Sequence, residues 1–196
     1  MAKKNNFENI VDFFFELGTL RKVIRAHQQA LFGNDASDNI ASHTFRVCFI
    51  GYFLAQIEKA DAFKVVMMCL VHDIPEIRTG DQNNIHKKYV KAFEDEVIND
   101  QLNGLPFSEF LKNLFFEYEE RKTKEAKIAK DADILDEIFL LKEYSATGNK
   151  EAERWLKNHS HSKFLNTKTA KEIYKVIIKK NISDWWKTFA TFNKRR

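Results

Sequence analysis

The stretch Ala62-Phe63-Lys64-Val65-Val66-Met67-Met68-Cys69-Leu70-Val71, followed without a break by His72-Asp73, decides the fold of this 196-residue chain. It is apolar on nearly every face of a helix, so it reads as a helix packed centrally among others. Asp61 can cap its start by accepting an orphan backbone N–H of the first turn. Pro75 removes a backbone donor just beyond the pair and discourages an uninterrupted helix. His72 and Asp73 therefore fall at or near a helix end, where side chains from several elements can converge on a ligand.

Outward from this segment the helical pattern repeats in both directions. Upstream, apolar residues recur at helical spacing from about Asn9 to Leu20, a mixed basic and apolar segment continues to Arg25, and a loop follows at Gly33-Asn34-Asp35-Ala36-Ser37. Asp38 is the expected N-cap of a helix running to about Lys59. Downstream of Thr79-Gly80-Asp81, helices are predicted over about 86–102, 107–120, 123–146, 151–158, 168–180 and 184–192, with breaks at Gly104-Leu105-Pro106 and Thr147-Gly148-Asn149. Six glycines and two prolines are too few for a fold of many short strands, and the 18 phenylalanines are most simply core filler. With no linker, repeat or low-complexity stretch, the expectation is one all-α, single-domain helical bundle over 1–196.

A formal charge of +4 fits a phosphorylated substrate but falls far short of a nucleic-acid footprint. The basic end Asn193-Lys194-Arg195-Arg196 reads as a solvated tail. The first residues lack the continuous apolar region of a signal peptide, and no segment approaches the roughly 20 apolar residues of a membrane span, so a cytoplasmic protein is expected. Cys48 and Cys69 sit in apolar patterns and read as buried thiols. Trp155, Trp185 and Trp186 are expected to close the bundle or an interface between copies.

An adjacent His-Asp pair is a weak motif alone, and an interior ion pair is its bland reading. Its setting raises it, since a buried imidazole and carboxylate cost several kcal/mol unless paired, hydrogen-bonded or bound to metal. His43, in the first turns of the preceding helix, and Asp133, in Lys130-Asp131-Ala132-Asp133, supply further candidates. Two imidazoles and two carboxylates form a mixed N/O set suited to Mn, Fe, Co, Ni or Zn and less natural for Mg. His159 and His161, in a polar turn, read as solvated, and His27 and His86 as surface or supporting residues.

Taken in order, Ile40-Ala41-Ser42-His43-Thr44-Phe45-Arg46-Val47, His72-Asp73-Ile74-Pro75-Glu76-Ile77-Arg78-Thr79-Gly80-Asp81 and Lys130-Asp131-Ala132-Asp133 resemble the H…HD…D signature of the HD superfamily of metal-dependent phosphohydrolases. The second stretch is similar to the branch of bacterial YfbR-like 5′-deoxynucleotidases. The resemblance covers roughly residues 10 to 180, with an HD core at about 38–146 on which the terminal helices pack. It implies one divalent ion on His43, His72, Asp73 and Asp133, with Glu76 and Asp81 as catalytic carboxylates. Glu76 would orient an attacking water or take its proton, and Asp81 would protonate the leaving alkoxide or fix the sugar. Arg25 corresponds to a phosphate-binding arginine, an exposed surface arginine being the alternative, and Arg78 and Lys87 are weaker substrate-binding candidates. The implied partners are a small nucleotide and a second copy of the chain, with neither nucleic acid nor membrane.

Three features depart from that family pattern. Ser42 stands where relatives commonly have an acidic residue, Ala26-His27 where many have a tryptophan that helps exclude ribonucleotides, and Arg78-Thr79 resembles a different sub-branch. The leading expectation is hydrolysis of nucleoside 5′-monophosphates. Hydrolysis of another small phosphorylated metabolite, a nucleotide diester or an alarmone stands second, and a non-catalytic nucleotide-sensing module third.

Overall fold

In the computed structural model, which describes residues 6–158 and 161–187, the chain is a helical bundle, as expected. Helix α1 (Asn6–Leu17) runs into a 3-10 turn (Gly18–Lys22), and a short α2 (Gln28–Leu31) precedes the loop to α3 (Ile40–Glu58) and α4 (Ala62–Val71). Four helices follow, α5 (Glu76–Thr79), α6 (Asn84–Tyr89), α7 (Glu94–Gln101) and α8 (Ser108–Glu120). The long α9 (Lys124–Ala146), then α10 (Lys150–Lys157), a 3-10 turn (His161–Phe164), α11 (Lys168–Lys179) and α12 (Asp184–Lys187) complete the described chain.

The core is a three-helix contact of α3, α4 and α9. Val47, Leu54, Val65, Met68, Ala132 and Leu135 are fully buried there. Close approach depends on Gly51: a Cβ at that position would sit 2.9 Å from Cys69 Sγ and 3.1 Å from Val65 Cγ1. Anything larger than glycine would push α4 off α3 and separate the two histidines they carry. Asp61 caps α4 by accepting from Lys64 N at 3.0 Å, as predicted. Lys59, in the left-handed region, closes α3 with its N–H on the carbonyls of Ala55 and Gln56.

Several expectations are corrected. The cap of α3 is Asn39, whose side chain accepts from Ser42 N at 3.1 Å, and Asp38 is turned inward to a buried polar network. The helix expected over 86–102 is two: Val90 is extended, and α7 restarts after it with Glu94, Asp95 and Glu96 in its first turn, where carboxylates suit the positive helix end. By length and composition α3 is apolar enough to cross a membrane. That apolarity has a local reason, since α3 carries His43 into the bundle and buries Val47, Gly51, Leu54 and Ala55 against α4 and α9.

Both cysteines are free, Cys69 buried and Cys48 half-buried, and burial raises both thiols, which suits inert packing. Trp155 packs beside Leu31, Leu141 and Ala152 and stacks on His161, whose Nε2 lies 3.2 Å from Glu137 Oε1. Trp185 and Trp186 lie edge to face at the surface. His159 and the basic end at 193–196 lie outside the described residues.

Candidate metal centre

Three helices bring the four predicted ligands together. His43 projects from the first turn of α3, His72 and Asp73 stand at the end of α4 where Pro75 redirects the chain, and Asp133 lies midway along α9. His43 Nε2, His72 Nε2 and an Asp73 oxygen all lie within 4.8 Å of one another. Asp73 Oδ2 is 3.2 Å from His72 Nε2 and 3.5 Å from His43 Nε2, and Asp133 Oδ1 is 3.3 Å from His43 Nε2.

What suits this cluster to a cation is how the remaining atoms are used. His43 Nδ1 is hydrogen-bonded to Asp136 Oδ2 at 2.6 Å, and His72 Nδ1 to the Cys69 carbonyl at 2.8 Å. Acceptors at both Nδ1 atoms keep a ring proton there, so each Nε2 offers a lone pair once its ring is neutral. Both Nε2 atoms are buried without a hydrogen-bond partner and face the Asp73 carboxylate, with Asp133 Oδ1 on the side of His43. Asp133 divides its oxygens the same way, Oδ2 accepting from Lys130 Nζ at 2.7 Å and Tyr118 OH at 3.1 Å while Oδ1 faces His43. Two orphaned imidazole nitrogens and two carboxylates fit a divalent ion, with donor types that suit transition metals.

Around this centre the charges are unusual. His43 is raised to about 9, because burial and the Arg25 charge oppose the proton but the Asp133 and Asp136 carboxylates outweigh them. Asp133 is held well below the usual carboxylate range, burial being overcome by Lys130, His43 and His72. Burial, with Asp73 and Asp81 alongside, pushes Glu76 up to about 10.

The structure sorts the other predicted residues. Glu76, at the start of α5, has Oε2 buried and unpartnered. Asp81 accepts from Ala26 N at 2.7 Å and lies 3.3 Å from Arg25 Nε, so it fastens the 25–26 loop to the site. Gly80, at φ 72°, makes the turn that brings Asp81 back. Arg25 is not an exposed surface arginine: its side chain is 12% accessible, Nη1 is 4.0 Å from Asp73 Oδ2, and Nε and Nη1 have no hydrogen-bond partner. A buried guanidinium with spare donors beside a cation site suits a phosphate. Arg78 is not brought in, since it forms a two-point pair with Glu16 at 2.6 and 3.0 Å on the outer surface. Lys87 is exposed on α6, close enough for its charge to act on Glu76.

Sequence reasoning missed the supports. Asp136 is itself gripped by Arg46, whose Nη1 also reaches Glu143 Oε1 at 2.6 Å. Asp131, in the same motif as Asp133, is fully buried on another face of α9, where it accepts from the backbone of Asn166 and Thr167 and anchors the start of α11. Helical spacing carried the signal, Asp136 standing three residues after Asp133 and Arg46 three after His43.

Comparison with known proteins agrees with this fold. A sequence model described as an HD domain matches residues 17–176. A curated 5′-deoxynucleotidase of Dictyostelium discoideum is 28% identical over 148 residues, covering 69% of this chain and 77% of that protein. A 5′-deoxynucleotidase of Schizosaccharomyces pombe is 31% identical over 128 residues, covering 61% and 64%. Among solved structures, a genomics crystal structure superposes with a TM-score of 0.73 at 28% identity, over 91% of this chain and 99% of that one. The family match spans α3, α4 and α9 together and ends inside α11, well over half of the sequence: this chain belongs to the HD-domain family.

Proposed function

We propose that the protein is a metal-dependent 5′-nucleotidase that releases phosphate from nucleoside 5′-monophosphates, deoxy forms first. The observation that carries this reading is the pair of buried, unpartnered Nε2 atoms facing Asp73 and Asp133, with the spare donors of Arg25 and the free oxygen of Glu76 beside them. The Dictyostelium and fission-yeast relatives, both curated as 5′-deoxynucleotidases, support the choice of substrate.

The residues divide the work. His43, His72, Asp73 and Asp133 would hold a divalent ion of the Mn, Co, Fe, Ni or Zn type, which when bound offsets charge on phosphoryl oxygens and makes hydroxide available near neutral pH. Arg25 receives the phosphate with its spare N–H groups. Attack of water at phosphorus forms one P–O bond as the bond to the 5′ oxygen breaks. One proton leaves the water and one reaches the alkoxide. Glu76 is the acceptor for the first, its raised affinity for a proton being drawn down by any cation placed among its neighbours. Asp81 keeps the Arg25 loop closed and is the second carboxylate, offered to the leaving alkoxide or the sugar. We place the enzyme in the cytoplasm and its working form as a homodimer.

A panel of nucleoside monophosphates, with Mn, Co, Ni, Fe, Zn and Mg supplied separately, tests this. Phosphate release from deoxynucleotides that a chelator abolishes and Asp73→Ala eliminates is expected. Release undiminished in that variant, or nucleotide binding without turnover under every metal, refutes it.

A further inference from the structure

Asp133 is not the last carboxylate on its side of α9. Glu137 follows it by four residues and Leu141 follows Glu137 by four, so the three side chains stand in one row along the helix. The segment from Arg25 to Leu31 runs along that row. The Arg25 charge acts on both Asp133 and Glu137, the His27 charge acts on Glu137, and Leu31 is buried in one cluster with Leu141. Glu137 therefore stands about 5.4 Å farther along α9 than Asp133, within reach of the arginine assigned to phosphate.

The Glu137 side chain is fixed through one oxygen only. His161 Nε2 lies 3.2 Å from Glu137 Oε1, and the His161 ring stacks on Trp155 with centroids 6.2 Å apart. Asp131 holds the chain just past this turn by accepting from the backbone of Asn166 and Thr167. Burial opposes the charge of Glu137, but His161, with Arg25 and His27 beyond it, outweighs burial and keeps the carboxyl below the usual carboxylate range. Near neutral pH the group is thus an acceptor and never a donor. Among the described residues no donor reaches Oε2, and 28% of the side chain remains accessible. The pair offers an oriented acceptor with room for one more donor.

A carboxylate repels phosphate, so Glu137 has no use to the phosphoryl group itself. What it can take from a nucleotide is a hydroxyl or amino proton. With phosphate held between the cation site and Arg25, the sugar comes next along the molecule, and its 3′ hydroxyl lies roughly 5–6 Å from phosphorus, about the rise of one helical turn. The edge of the base lies farther out. We propose that Glu137, positioned by His161, accepts a hydrogen bond from the 3′ hydroxyl of the nucleotide and so makes a free 3′ hydroxyl a requirement for efficient turnover. The same carboxylate excludes a 3′ phosphate, which would set a second anion against it. This inference rests on the nucleotidase reading and adds to it the part of the sugar that is read.

Phosphate release from deoxyadenosine 5′-monophosphate and from its 2′,3′-dideoxy analogue tests the assignment in wild type, Glu137→Gln and Glu137→Ala, with melting curves to confirm folding. Wild type should prefer the sugar that keeps its 3′ hydroxyl by about 10- to 100-fold in kcat/KM. Glu137→Ala should abolish that preference by losing activity on the deoxynucleotide alone. Glu137→Gln, which keeps a neutral acceptor, should retain a several-fold preference, and it decides the matter if the alanine variant fails to fold. Deoxyadenosine 3′,5′-bisphosphate, added as an inhibitor, should bind Glu137→Gln about tenfold more tightly than wild type, a gain that a merely structural role cannot produce. Equal turnover of the two sugars by wild type overturns the proposal. So does a preference that survives both substitutions, which leaves Glu137 a brace for the turn at 161–164. Thymidine 5′-monophosphate covers the base: variants that lose a preference between bases while keeping the one between sugars give Glu137 to the base edge and overturn the assignment. Wild type that releases phosphate from no nucleotide fails the nucleotidase reading and this inference with it, whereas wild type that hydrolyses both sugars alike fails this inference only.

Discussion

Two buried histidine and carboxylate clusters lie close together in this fold, and they differ in what is left over. Around Asp38, Oδ2 is hydrogen-bonded to His27 Nε2 at 2.7 Å, Tyr144 OH at 2.9 Å and Gln28 Nε2 at 3.1 Å, and none of these atoms is buried without a partner. Around Asp73, the Nε2 atoms of His43 and His72, Glu76 Oε2 and two Arg25 nitrogens are all buried and unmatched. Residue type does not separate the two regions. Unpaired buried polar atoms cost free energy that folding alone gives no reason to spend, so matched atoms mark a brace and unmatched atoms aimed at one point mark a site.

The largest test of that contrast is Glu76→Gln, which keeps the size of the side chain and removes its ionisation. If Glu76 handles the proton of the attacking water, phosphate release falls by about 10²- to 10⁴-fold while the cation still binds. Steady-state kinetics beside a metal titration read the two effects separately. Full activity in this variant would put Glu76 with the braces.

Asp136→Asn sharpens the comparison from within the site. The amide can offer His43 Nδ1 an N–H instead of an acceptor, which turns the ring toward the wrong tautomer, and loss of such a support weakens metal binding by about 10- to 100-fold. Competition against a fluorescent chelator measures it, with the melting curve showing whether the bundle remains intact. Equal affinity would mean that Asp136 serves only Arg46.

Proton competition gives a smaller effect. His43 is held protonated up to about 9, so below that value a cation must displace a proton from the ring. Cation affinity should therefore rise with pH, by about tenfold per unit for one displaced proton, and level off above it. Calorimetry in buffers of different ionisation enthalpy counts the protons released. A flat profile between about pH 6 and 8 would show that His43 binds its cation from the neutral form.

How far the sequence carries this contrast is clear from particular residues. The apolar run from Ala62 to Val71 ending in His72-Asp73 announces both a central helix and a site at its end, because those two residues have no cheap structural use there. His43 and Asp133 were legible through the order of the motifs, and the structure brings them within reach of that pair. The braces were not legible. Asp38 sits where a helix cap belongs, and only the folded position of Tyr144, 106 residues away, shows that its carboxylate turns inward. Arg78 was misplaced for the same reason: its closeness in sequence to Asp81 says nothing about Glu16, which holds it from α1.

The brace supplies the smallest effect on the site. Asp38→Ala removes an acceptor shared by His27, Gln28 and Tyr144, leaving the imidazole and the phenol without that partner. Buried polar groups stranded in this way cost about 1–3 kcal/mol, so the denaturation midpoint should drop accordingly. The cation does not meet Asp38, and Ala26 remains tied to Asp81 by its own N–H, which keeps Arg25 in register. Cation affinity and the rate of phosphate release per folded molecule should then match wild type. A loss of affinity in a variant that is still folded would mean that the two clusters form one network, and the division between brace and site would have to be redrawn along the segment from Arg25 to Asn39.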